Sequence, residues 1–420
     1  MFKPGKAFSF SLFPVSLAQQ SCKMYPRISD FINHLLGTNI NIPFQSYGFM
    51  LAMAFLAGAW VLFSELRRKE KNGSIPVRKK KIRIGAPATF WEIFFSGIFG
   101  FLLGWKGIGL ILDYSLFSKN PQEYILSGQG SLVGAIVLAA GFAFFAYYPK
   151  KRKQLKEPVW EEVTVHPYHL TGNILLIAAV FGIIGSKIFD LIEHIGDLFR
   201  DPFHALVSFS GLSFYGGLIV GSIAVVWYAH RNRIRLPHIA DALAPALILA
   251  YAVGRIGCQL AGDGCWGIVN AMPKPQWMGF LPDWIWAFRY PHNVINYGIP
   301  IPGFSGEHCF ILEQPVFPTP IYETLMGLMI FIILWILRKK LRVPGYLFCI
   351  YLILNGIERF LAETIRINKT YSLFGLQLTQ AEIIAVILVI LGIAGFFYFK
   401  KLQVAFLTET RKEDGTKNGS

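Results

Sequence analysis

Acidic residues are scarce in this chain, with 25 Asp and Glu against 40 Lys and Arg in 420 residues, and charged residues of both signs make up only 15%. A soluble domain carries closer to about a quarter charged residues. That deficit, with 54% hydrophobic residues and a mean hydropathy of +0.46, excludes the ordinary soluble classes and leaves a polytopic membrane protein. Cysteines are also few: Cys22, Cys258, Cys265, Cys309 and Cys349 show no CxxC spacing, which argues against a zinc or redox motif. Cys265 and Cys309 bracket a long loop and form a disulfide only if its compartment is oxidising, whereas Cys349 reads as a small apolar residue in a span. The formal charge of +15 does not mean nucleic acid, because the basic excess is confined to connections between apolar runs.

What the chain has in abundance is apolar runs near the roughly 20 residues needed to cross a bilayer. Nine occur, at about 45–64, 90–112, 129–148, 171–192, 211–229, 237–258, 320–337, 344–362 and 379–399. The connections after the first, third, fifth, seventh and ninth are strongly basic (Arg67 to Lys71 and Arg78 to Lys81; Lys150 to Lys153; Arg231 to Arg235; Arg338 to Lys340; Lys400 and Lys401), and the alternate ones are not. Basic loops face the cytoplasm. The predicted fold is therefore an all-α polytopic membrane protein of about nine transmembrane helices, N-terminus outside and C-terminus cytoplasmic, with residues 259–318 outside.

The chain divides accordingly into an N-terminal segment (1–43), a first core span (44–69), an inserted two-span hairpin (70–165), the remaining core (166–400) and a polar tail (401–420) expected to be disordered. The first 23 residues share features with a signal peptide, a basic start and the apolar stretch Ala7 to Leu17; a true start at Met24 is the other reading. Ile28, Phe31, Ile32, Leu35 and Leu36 keep helical spacing over too short a length to span, which predicts an amphipathic arm on the membrane surface. In the outer segment Trp277, Trp284, Trp286, Phe288 and Tyr290 read as an interfacial anchor or as a cap over a lipid-facing opening, the anchor being preferred.

The stretch YAVGRIGCQLAGDGCWG, Tyr251 to Gly267, sets Arg255 and five glycines at the end of an apolar helix. An arginine at a helix centre in hydrocarbon costs about 2.5–3.5 kcal/mol, so Arg255 calls for a partner, a water-filled cavity or a ligand unless it snorkels to the interface. Arg359, Glu363 and Arg366 fall at i, i+4 and i+7 on one face at the end of the eighth span, where Arg359 and Glu363 can pair and leave Arg366 over. Two further elements open their spans from the same side: GLSFYGGLIVG, with Tyr215 and the helix-packing pair Gly216 and Gly217, and PTPIYETLM, with Tyr322 and Glu323. Guanidinium groups gathered at one depth in a low-dielectric site suit a phosphate, which they grip through paired N–H donors.

At this point the sequence resembles the bacterial prolipoprotein diacylglyceryl transferases. The matching segments are QSYGFM, SFYGGLIVG, HIADALAPALILAYAVGRIG, PTPIYETLMG and GIERFLAETIR followed by LTQAEI, in that order from about Gln45 to Gly392. The resemblance implies a multi-pass enzyme of the bacterial cytoplasmic (inner) membrane. Its partners are phosphatidylglycerol and prolipoprotein signal peptides, with no nucleic acid and no metal or organic cofactor. It moves the diacylglyceryl group onto the lipobox cysteine and releases glycerol phosphate. By position, Tyr47, Arg255, Gly267, Arg359, Glu363 and Arg366 match the family's functional residues, and Asp263 stands where the family has a glutamate. The chain departs from the pattern where Tyr215 replaces a histidine, Cys258 an asparagine and Asn355 a tyrosine, where GDGCWG is one residue longer, and in the inserted hairpin.

A free thiol is only a few per cent thiolate at neutral pH, so the reaction needs a base or a positive field. A phenol is a poor proton acceptor there. Tyr215 is therefore expected to orient a substrate by hydrogen bonding, with Asp263 helping to take the proton and Arg255 and Arg359 holding the phosphate. The competing classes are a non-catalytic phospholipid binder or transporter that has lost its chemistry with the histidine, and a structural membrane component.

Overall fold

The computed structural model describes residues 24–39, 44–113, 124, 127–201, 206, 213–304, 306–366, 370–373 and 376–417. The signal-like stretch 1–23 and the first two residues of GLSFYGGLIVG lie outside them. Among the described residues the helices are α1 (Ile28–Leu36), α2 (Ser46–Lys71), α3 (Phe90–Leu112, its middle a π-helical turn at Gly104–Ile108), α4 (Leu132–Arg152), α5 (Thr171–Glu193), α6 (Ile195–Arg200), α7 (Phe214–Arg231), α8 (Leu236–Ala261), α9 (Thr319–Leu337), α10 (Tyr346–Glu363) and α11 (Gln380–Lys417). Each expected apolar run coincides with one long helix. Seven, α2, α3, α4, α5 (counted from Pro167), α8, α9 and α11 (to Leu402), are long and apolar enough to cross a membrane by length and composition. The other two are α7 and α10, each 18 residues long; His230 and Arg231 dilute the apolarity of the first, and Glu358, Arg359 and Glu363 that of the second.

The structure is mostly helical, as expected, and among the described residues the connections add three two-stranded sheets. β1 (Arg78–Ile84) pairs antiparallel with β2 (Val159–Val165), from Arg78 opposite Val165 to Ile84 opposite Val159, and so closes the segment that carries α3 and α4. Val, Ile, Thr and Trp favour the strand, and Lys81 faces Glu162 across the ladder. Reading the lysines only as a cytoplasmic signal hid this pairing. One expectation is corrected, that of a disordered tail: α11 continues to Lys417, because Ala405, Leu407, Glu409, Arg411 and Lys412 are good helix formers although polar on balance. The arm α1 forms as expected and leaves Phe31, Leu35 and Leu36 exposed.

The structure divides into two compact units, and five helices have residues in both. Unit 2 comprises Met53–Tyr251, Gly327–Ile357 and Ala385–Ser420. Its core packs Val61, Leu62 and Leu66 of α2 against Ile174 of α5, Val225 and Ala229 of α7 and Ile239, Ala242 and Ala246 of α8. Small residues set the closest helix approaches. A Cβ on Gly216 would lie 2.4 Å from the Gly185 carbonyl oxygen, and one on Gly104 would lie 2.1 Å from that of Gly134. Such contacts drive association where helices have no hydrophobic incentive to leave lipid.

Unit 1 comprises Met1–Ala52, Ala252–Met326 and Glu358–Ile384. Its core of Met24, Trp266, Phe288, Tyr290, Leu312 and Val316 is built largely from the loop between α8 and α9. Tyr290 is fully buried and donates from its hydroxyl to Gln259 Oε1 at 2.7 Å. The anchor reading therefore fails for Phe288 and Tyr290, which fill a core, and survives only for the exposed Trp277; Trp284 and Trp286 are half-buried. The LTQAEI motif is a capping box: Glu382 accepts from the Thr379 amide at 2.7 Å, and Thr379 Oγ1 accepts from the Glu382 amide at 3.1 Å.

Candidate active site

Unit 1 gathers the ends of four elements: the start of α2, the C-terminal turns of α8, the first turns of α9 and the end of α10. Glu323, fully buried in the second turn of α9, is the hub. Arg255 Nε lies 2.9 Å from its Oε2, Arg366 Nη1 3.3 Å from its Oε1, and Arg359 Nη1 3.6 Å from its Oε1. Arg359 Nη2 also contacts Glu363 Oε2 at 3.0 Å, which is the i, i+4 pair expected from spacing. Three guanidinium groups thus meet the two buried carboxylates of Glu323 and Glu363.

Gly267 has a structural reason to be glycine. Its backbone bridges to Arg366, the Ile268 amide donates to the Ile365 carbonyl at 2.8 Å, and a Cβ on Gly267 would sit 2.5 Å from that same oxygen. The close approach fixes where Arg366 leaves the end of α10. Tyr47, in the first turn of α2, is exposed, and its backbone borders Gly257, where a Cβ would lie 3.4 Å from the Tyr47 Cα. Asp263 occupies a tight turn between Gly262 (φ 62°) and Gly264 (φ 91°), and its Oδ1 accepts from the Cys265 amide at 3.2 Å. Tyr215 belongs to unit 2, half-buried at the start of α7, with its ring edge-on to Phe214 at 5.7 Å. Tyr47, Arg255, Asp263, Gly267, Arg359, Glu363 and Arg366 thus share unit 1, and Tyr215 does not.

The model of the prolipoprotein diacylglyceryl transferase family matches residues 133–398, well over half of the chain. The chain belongs to this family. Several relatives carry the name phosphatidylglycerol–prolipoprotein diacylglyceryl transferase. The protein of Dehalococcoides mccartyi is 28% identical over 238 residues, covering 56% of this chain and 80% of its own. That of Xylella fastidiosa is 28% identical over 240 residues, covering 53% and 75%. That of Streptococcus agalactiae is 26% identical over 272 residues, covering 64% and 91%. The family match opens inside α4, so Tyr47 precedes it, whereas the Arg255, Glu323, Arg359, Glu363 and Arg366 cluster lies within it.

Two features escaped the sequence reading. Glu323 was noticed in PTPIYETLM but assigned no role, although a carboxylate early in an apolar helix is itself a signal of a buried cation. The second is a group of Cys258, Asp263 and Cys265, whose sulfur and carboxylate atoms all lie within 4.8 Å of one another. Arg255 Nη1 is 3.8 Å from Cys258 Sγ. A hydrogen bond from Cys258 holds the Cys265 thiol below the ordinary thiol range. Cys265 and Cys309, considered as a disulfide pair, are both free thiols. The spacing C-x4-D-x-C across a two-glycine turn would have been the clue.

Proposed function

We propose that the protein transfers the diacylglyceryl group of phosphatidylglycerol to the lipobox cysteine thiol of prolipoproteins. The observation that carries this reading is the buried Glu323 shared by Arg255, Arg359 and Arg366, in a chain of the transferase family. In the reaction the lipobox sulfur bonds to the glyceryl carbon, the bond from that carbon to the phosphate oxygen breaks, and its electron pair leaves on glycerol phosphate. Charge therefore grows on the phosphate as the bond breaks, and preorganised donors aimed at growing charge supply the largest catalytic contribution. Arg255 and Arg359 are assigned to that phosphate, with Arg366 and Glu363 setting their positions. Asp263 is assigned to the thiol side, where it assists loss of the proton, and Tyr215 to orienting a substrate by hydrogen bonding. Gly267 and Tyr47 are assigned to substrate binding.

The basic-loop alternation supports nine spans, N-terminus outside, with residues 259–318 outside and the loops at 67–81 and 150–156 in the cytoplasm, and the family supports a place in the bacterial inner membrane. The lipid substrate then reaches the cluster from the membrane and the prolipoprotein from the outer side. Impermeant thiol labelling of engineered cysteines should modify positions within 259–318 only; modification at position 80 in intact cells rejects the topology. For the activity, the test is rescue of a bacterium depleted of its own diacylglyceryl transferase, with release of glycerol phosphate followed in membranes. A protein that retains phosphatidylglycerol but releases no glycerol phosphate would be a lipid binder instead.

A further inference from the structure

We propose that Cys258, Asp263 and Cys265 form a binding site for a thiophilic divalent cation of the zinc class, with one coordination position left for the incoming lipobox thiol. The role of that open position rests on the transferase reading above; the cation site itself does not.

Geometry supports the site. Two sulfurs and a carboxylate oxygen lie within 4.8 Å of one another. Ligand atoms around a tetrahedral zinc are about 3.3–3.8 Å apart, so the group closes on an ion with a movement of about 1 Å. The backbone already holds the three residues together. Cys258 is buried on α8; Gly262 and Gly264, both at positive φ, turn the chain back; and the Cys265 carbonyl accepts from Thr319 Oγ1 at 2.6 Å. The Arg255 guanidinium, paired with Glu323 through Nε at 2.9 Å, also places Nη1 3.8 Å from Cys258 Sγ. An N–H directed at a ligating sulfur is the kind of outer contact that orients metal ligands.

Three protein ligands with a fourth position open are the arrangement of catalytic rather than structural zinc sites. A thiol that takes the open position is deprotonated outright. With the ion held by Cys258, Asp263 and Cys265, the lipobox thiol would lose its proton to solvent; its sulfur would form the bond to the glyceryl carbon while the carbon–oxygen bond to phosphate breaks and the electron pair leaves on glycerol phosphate. Asp263 thereby assists proton loss as a ligand. This assignment also gives a chain that carries tyrosine at position 215 a means of making thiolate.

The test uses the full-length protein purified with lipid. Elemental analysis after equilibration with zinc and removal of the excess should find about one zinc per chain, and the Cys258→Ser/Cys265→Ser variant should find none. Cobalt in place of zinc should give a thiolate-to-metal absorption band in the wild type that the variant lacks. Should the double variant fail to fold, the wild type serves alone: the two thiols should resist a thiol reagent until a chelator is added. Stripping the metal should lower turnover by about 30-fold, the ratio between a fully ionised thiol and one a few per cent ionised, and zinc should restore it. Absence of zinc together with absence of the cobalt band, or a Cys258–Cys265 disulfide in the native protein, overturns the site. Stoichiometric zinc whose removal leaves turnover unchanged overturns its activating role. Stoichiometric zinc in a protein that shows no turnover, loaded or stripped, upholds the site and rejects the transferase reading instead.

Discussion

Each of the two units buries ionised groups, and they do so in opposite ways. In unit 2, Asp241 and Glu65 are tied to the helix framework. Asp241 accepts from the amides of Gly345 at 2.9 Å and Phe348 at 3.1 Å and pairs with Lys69 at 3.4 Å. Glu65, fully buried, is clasped by Arg68 one turn along its own helix at 2.7 Å and by Arg338. Several of these partners are backbone amides or helical neighbours, which move only if the helices do. In unit 1 the single carboxylate of Glu323 serves three arginines from α8, α10 and the segment after it, all by side chains. A carboxylate held by amides, as Asp241 is, pins helices together; one held by guanidinium side chains from three separate segments, as Glu323 is, can give them up to a phosphate. The same chemistry is structural in one unit and suited to exchange in the other.

The largest effect expected from this contrast is at Glu323. Glu323→Gln leaves three guanidinium groups without their shared buried anion, and breaking a buried pair in this way costs about 3–5 kcal/mol. A thermal melt in detergent should fall accordingly. If Glu323 stands in for phosphate, phosphatidylglycerol should restore part of that loss in Glu323→Gln, whereas Glu65→Gln in unit 2 should gain nothing from the lipid. Equal rescue at both positions would erase the distinction.

Next come the arginines themselves. Arg255→Lys and Arg359→Lys keep the charge but lose the planar fork, and the loss of one donor to the developing phosphate charge should lower turnover by about 10²-fold or more. Near-normal turnover in both variants, with folding intact, removes the arginines from the transition state.

On the thiol side the expected ranking is Asp263 over Tyr215. Asp263→Asn should cost up to about 30-fold in turnover, the ratio between a fully ionised thiol and one a few per cent ionised. Tyr215→Phe removes one hydrogen bond and should cost about 3–10-fold, since a net hydrogen bond is worth about 0.5–1.5 kcal/mol. Phosphatidylglycerol binding should survive both. The reverse ranking assigns the proton to the phenol. The smallest effect belongs to unit 2: Arg68→Ala removes a partly exposed i, i+3 partner from Glu65, which keeps Arg338, and should lower stability by about 1 kcal/mol or less with turnover unchanged.

Much of this architecture was legible in the residues because it is written locally. Nine apolar runs became nine long helices, the short apolar face from Ile28 to Leu36 became α1, and the Arg359–Glu363 spacing became a 3.0 Å ion pair. Gly216 and Gly217 foretold a close helix approach and make one. The misreadings share a cause. Lys79, Lys80 and Lys81 carry both a topology signal and a strand, and only the partner strand at Val159–Val165 reveals the second. Phe288 and Tyr290 were read as interfacial because composition says that an aromatic is present, not which way it faces.

The sequence alone therefore determined where the helices lie, which connections are basic and which charges sit one turn apart, since periodicity reports neighbours along a helix. Tertiary structure decided which distant charges share a carboxylate. No spacing rule relates Arg255 to Glu323, and only the packing of α8, α9 and α10 brings Arg255, Arg359 and Arg366 to one buried group. It likewise turned Cys258, Asp263 and Cys265 into a cluster that no CxxC rule detects, because two glycines at positive φ fold the chain back on the end of its own helix.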